Sequence, residues 1–158
     1  MSDLFLILRA GAVRLGLPLA AVREVLPLLP VEAVPGLPRP LLGFVDLRGD
    51  IVAVVQPLAL LDPQAPLPPV ALSAHLVRLR GDDAPCLLVD RAEDAVQGAP
   101  QPIDPAHSLH GTVTGELPLG EGTALVIDSA ALLLAAERAA IARLATAAAA
   151  RRDQWAAA

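Results

Sequence analysis

The side chains able to do covalent or metal chemistry are few: Cys86 is the single cysteine, and the three histidines are His75, His107 and His110. His107 and His110 lie three residues apart, between a proline-rich stretch and an apolar segment. A structural zinc site asks for four soft ligands in tight pairs. No CxxC is present to complete one, so no metal is assigned. Cys86 could act as a nucleophile only beside a base that lowers its pKa, and His107 or His110 is the candidate base. Its neighbours Pro85, Leu87 and Leu88 describe a small core residue instead. Asp82-Asp83 and Glu93-Asp94 are adjacent carboxylates, a pattern of solvated turns more than of an acid–base pair. No G-x-S-x-G elbow or phosphate-cradling glycine loop occurs. No catalytic residue and no cofactor is therefore expected; Cys86 with His107 or His110 is the enzyme alternative.

Charge narrows the partner class. All twelve basic residues are arginines, and the net charge is −5. The only aromatics are Phe5, Phe44 and Trp155. Nucleic-acid binders combine a basic face with stacking rings, so nucleic acid is not an expected partner. Mean hydropathy is positive, yet Pro18, Arg23, Pro27, Pro30 and Glu32 interrupt the apolar runs. A bilayer span needs about 20 uninterrupted apolar residues. The acidic start Met1-Ser2-Asp3 is the wrong order for a secretory signal. Direct membrane insertion is not expected, and the default location is cytoplasmic.

The positioning elements read as short strands between turns. Residues 3–8 and 12–17 form a hairpin about Arg9-Ala10-Gly11. Over 19–26, Leu19, Val22, Val25 and Leu26 recur at helical spacing after Pro18, so a short helix is expected there, with Arg23 and Glu24 facing out. Segment 31–34 is extended, and the prolines of 35–40 exclude a ladder strand. Residues 41–47 and 51–55 flank the turn Arg48-Gly49-Asp50, and 57–61 make one helical turn. The stretch 62–69 is the clearest connection. Beyond it lie strands 74–80, with Arg78 and Arg80 on a solvated face, 86–90 and 92–96. A closing hairpin pairs 109–117 with 123–127. Ser129 is a candidate N-cap for an Ala-rich helix over 130–150, whose stripe of Leu132, Leu133, Ala136, Ala140, Ile141 and Leu144 faces the body. The last dozen residues are expected to fray. The class is all-β, barrel or sandwich, with a C-terminal helix or tail from 129 to 158.

Three blocks carry a resemblance. They are Val22-Arg23-Glu24-Val25-Leu26, then Val34-Pro35-Gly36-Leu37-Pro38, then Leu42-Gly43-Phe44-Val45-Asp46-Leu47-Arg48-Gly49-Asp50-Ile51-Val52. In order and spacing they resemble the CheW-like coupling proteins of bacterial chemotaxis. Leu87-Leu88-Val89-Asp90, Asp94-Ala95-Val96, His110-Gly111 and Leu125-Val126-Ile127-Asp128 extend the likeness over about residues 4 to 137. The resemblance implies two five-stranded Src-homology-3-like β-barrels about a shared apolar interface. The expected lobes are 14–62 and 70–128, with the strand at 3–8 shared between them. It implies a non-enzymatic scaffold that bridges a chemoreceptor signalling tip and the regulatory domain of a CheA-type histidine kinase, with other CheW-like subunits as further partners. Val22, Glu24, Gly43 and Arg48 fall on its contact positions. Two residues depart from the pattern: Gln56 replaces an acid, and Cys86 a glycine. A structural module that has lost kinase coupling, or one serving a specialised array, is the second reading.

Overall fold

A computed structural model describes residues 2–33, 37, 39–61, 64, 66, 69–108, 111–133 and 135–157. Val34, Pro35, Gly36 and Pro38 of the second block, most of the connection at 62–69, and Leu109 and His110 lie outside the described residues.

Among the described residues, ten strands form two five-stranded, mainly antiparallel sheets. In chain order they are β1 (Asp3–Ala10), β2 (Val13–Pro18), β3 (Val22–Pro27), β4 (Leu41–Leu47) and β5 (Asp50–Val55). Next come β6 (His75–Leu79), β7 (Cys86–Val89), β8 (Arg91–Gly98), β9 (Val113–Pro118) and β10 (Thr123–Ile127). A short helix α1 (Pro57–Leu61) succeeds β5, and α2 (Ala135–Ala157) closes the chain. The sheet orders are β3-β6-β7-β5-β4 and β8-β1-β2-β10-β9. These are one topology twice over, with β1 and β2 standing where β6 and β7 stand. Even the parallel pair recurs, β5 with β7 and β10 with β2. Each sheet curls until the segment after its first strand reaches the far edge: Glu32 bridges to Phe44 on β4, and Gln101 to Glu116 on β9.

This pairing corrects the expected lobe boundaries. One lobe is the continuous stretch β3–β7; the other joins β1 and β2 to β8, β9 and β10. The strands flanking 62–69, β5 and β6, therefore belong to one lobe, because β6 pairs back with β3.

Burial explains the composition. Strands in the middle of each sheet are covered on both faces. On β1, Phe5 and Ile7 fill one lobe with Leu117, Ala124 and Val126, while Leu6 and Leu8 point to a core shared between lobes. On β7, Cys86 and Leu88 fill the other lobe with Val45, Val54 and Leu76, while Leu87 and Val89 join the shared core. Such strands read as continuous apolar runs and not as alternation. The alternation expected on β6 holds in part: Val77 and Leu79 are buried and Arg80 is exposed, but Leu76 on the arginine face is buried too and Arg78 is half-buried. His75 ties the lobes together, its Nδ1 accepting from the Ala92 N–H at 2.9 Å.

Two helical expectations are corrected. Residues 19–26 are not a helix: Leu19–Ala21 make one 3₁₀ turn, and Val22–Pro27 are strand β3. A segment closed by proline after eight residues cannot nucleate a helix alone, and its Val-x-x-Val suits an extended edge. Ser129 is not the cap of the long helix. Asp128 accepts from the Ala130 N–H at 3.0 Å to cap a separate 3₁₀ turn, Ser129–Ala131. Helix α2 starts later and stays helical to Ala157 instead of fraying. Leu132, Leu133 and Ile141 are buried in the shared core, with Leu144 packed against it; the side chains of Ala136 and Ala140 lie outside those described.

Candidate functional site

The Arg48-Gly49 block is a two-residue hairpin turn between paired Leu47 and Asp50. Both central residues have positive φ, 55° at Arg48 and 96° at Gly49. That is the type I′ geometry, whose twist matches the strands it joins. Gly49 suits its place; Arg48 does not, because a Cβ opposes the left-handed region. The Asp46 carboxylate supports the turn, its Oδ1 accepting from the Gly49 N–H at 2.8 Å.

The turn reaches edge strand β3. Arg48 Nη2 lies 3.3 Å from Glu24 Oε2, with the arginine side chain 83% exposed. Exposed pairs of this kind contribute about 0–1 kcal/mol, so Arg48 is not held there by stability. The neighbouring Arg78 is different: its side chain is only 11% exposed and sits between Glu24 Oε1 at 3.5 Å and Asp50 Oδ2 at 3.2 Å. It is the enclosed centre of the network, where the sequence alone suggested a solvated side chain. Arg80, its companion, donates from Nε to the Val22 carbonyl at 3.0 Å.

Of the four expected contact residues, the structure joins two. Glu24 and Arg48 meet at the surface. Val22 is buried in the shared core beneath them. Gly43 lies at the barrel seam, where an added Cβ would land on the Glu32 carbonyl. Its place is dictated by that close approach. Sequence reasoning missed Asp46, Asp50, Arg78 and Arg152. Arg152 on α2 donates from Nη1 to Asp46 Oδ2 at 2.7 Å. The signal for Arg78 was an arginine flanked by valine and leucine; its facing residue, Glu24, emerges only from the β3–β6 register.

Beside the turn, a groove of about 860 Å³ runs between β5, the β6–β7 loop and α2. On the outer side of β3, Val25 is 43% exposed. In the second lobe the equivalent edge strand, β8, carries a similar cluster: Glu93 Oε1 lies 3.2 Å from Arg9 and 3.7 Å from Arg14.

Among the described residues, which exclude His110, the enzyme alternative finds no geometry. Cys86 has no exposed surface and packs among Val45, Val54 and Leu88. Burial pushes its thiol up from 9.0 to about 11, with Glu24 also raising it and Arg78 lowering it. His107 is exposed on a 3₁₀ turn, so it cannot approach that thiol, and His75 is engaged with Ala92. Among the described residues, no three His, Cys, Asp or Glu side chains gather as a metal site. Gln56 is buried, and its backbone bonds to Pro40 and Ala59. The departure from the resemblance at Gln56 thus lies beneath the surface.

A pair of interlocked barrels with a charged edge strand, a supported turn and a flanking helix defines a class: a two-barrel β domain that presents a charged edge. The family model of the CheW-like domain matches residues 4–137, and the chain belongs to that family. Among solved structures it is similar to the scaffolding protein TtCheW from Thermoanaerobacter tengcongensis. That likeness has a TM-score of 0.70 and 17% identity, and covers 81% of this chain and 85% of that one. At that identity it shows the fold. No curated protein sequence matches the chain. No described helix is long and apolar enough to cross a membrane.

Proposed function

We propose that this chain is a non-catalytic scaffold in the cytoplasm that couples chemoreceptor signalling tips to the regulatory domain of a CheA-type histidine kinase. It reaches the membrane only through receptor arrays, and other CheW-like subunits are further partners. Support comes from the family and from one observation above all: Arg48 stands almost fully exposed on a strained turn against Glu24. A residue that contributes little to folding yet occupies a costly conformation is placed for something outside the molecule. The guanidinium offers a planar donor fork that a partner carboxylate can take over from Glu24. Val25 supplies an apolar neighbour on the same edge, while Val22 and Gly43 shape the surface from beneath.

The test is Arg48→Glu, which sets two carboxylates against each other. Binding to a receptor-tip peptide or to the kinase regulatory domain should fall by about ten-fold or more. Folding stability should change by about 1 kcal/mol or less. Undiminished binding to both partners refutes this role for the turn.

A further inference from the structure

We infer that Arg152, fifteen residues beyond the family-matched span, is a positioning residue that holds the Arg48-Gly49 turn through Asp46. This role deepens the reading above and rests on it only for what the turn binds. Asp46 uses its two carboxylate oxygens on different partners. Oδ1 accepts from the Gly49 N–H at 2.8 Å, and Oδ2 accepts from Arg152 Nη1 at 2.7 Å. The two bonds do not compete; together they fix the carboxylate's rotation. That rotation matters because Arg48 holds a left-handed φ of 55°, which a non-glycine residue adopts only when its surroundings enforce it. Leu47 and Asp50 define the turn's ends, and Asp46 supplies the side-chain support for its middle. Arg152 in turn is delivered by α2, which packs on β5 and buries Ile141 and Ala148 in the shared core. The Ala-rich run between these residues keeps the helix intact over the distance to the turn. The tail is thus a strut: its docking is transmitted to the surface that presents Arg48.

Amide hydrogen exchange at Gly49, read by NMR in the full chain, tests the strut without any partner. Arg152→Ala should accelerate exchange at Gly49 by about three-fold, the size expected from an exposed ion pair, while core amides of β5 and β7 keep their rates. Arg152→Lys should restore part of the protection. In an Asp46→Ala background, where the turn has already lost its support, Arg152→Ala should add nothing further. Unchanged Gly49 exchange in Arg152→Ala, or equal acceleration on both backgrounds, overturns the inference. A second arm measures binding of the kinase regulatory domain, expected to weaken by a similar factor in Arg152→Ala. Should the unmodified chain bind neither that domain nor a receptor-tip peptide, the proposed function fails, while the exchange result still decides the strut.

Discussion

At the residue scale, side chains of the same type take opposite roles according to burial. Arg48 and Arg78 both touch Glu24, yet one is solvated and the other enclosed between Glu24 and Asp50. Removing one partner of an enclosed pair leaves a charge without its complement, so Arg78 is the structural member and Arg48 the available one. The single thiol obeys the same logic. Cys86 is fully buried, and loss of hydration of the thiolate holds its pKa near 11. A thiol reacts as its anion. Alkylation of the native chain near neutral pH should therefore be slow, rising only as pH approaches that value or as the chain unfolds. Mass spectrometry after timed alkylation checks this, and rapid labelling without unfolding would revive the enzyme alternative.

Elements are set by what their neighbours permit. The barrel seams at Glu32–Phe44 and Gln101–Glu116 demand close backbone approach, and a glycine precedes the bridging residue each time, Gly43 and Gly115. A Cβ at Gly43 would collide with a carbonyl, whereas one at Gly120, in a loop with nothing within 4 Å, meets no neighbour. Gly43→Ala should cost about 2–4 kcal/mol and Gly120→Ala close to zero, measured by denaturant unfolding. Similar costs at the two positions would mean that the seam is looser than its geometry implies. Strand β3 carries the same lesson. Its helical spacing of apolar residues is genuine, but five residues between a 3₁₀ turn and Pro27 gain more by pairing with β6 than by coiling alone.

For the whole molecule, interleaving makes the lobes interdependent. β1 and β2, first in the chain, are internal strands of a sheet completed by β8, β9 and β10. Leu8 and Leu15 from that sheet meet Val55 and Leu87 from the other in one core. Leu8→Ala should cost about 2–5 kcal/mol. Both lobes should still unfold in one transition, visible as coincident curves from probes placed in each; two separated transitions would contradict a shared core. Much of this was legible in the residues alone. The turns at Gly11, Arg48-Gly49 and Gly81, the strand-length apolar runs and the L-R-G block are local features, fixed by backbone sterics and by distances of a few residues along the chain. What only the tertiary structure decided is who faces whom: that β6 pairs back with β3, that Glu24 meets Arg78, and that Arg152 reaches Asp46 across 106 positions. Those choices depend on burying two faces of every central strand at once, a condition that no window of neighbouring residues contains.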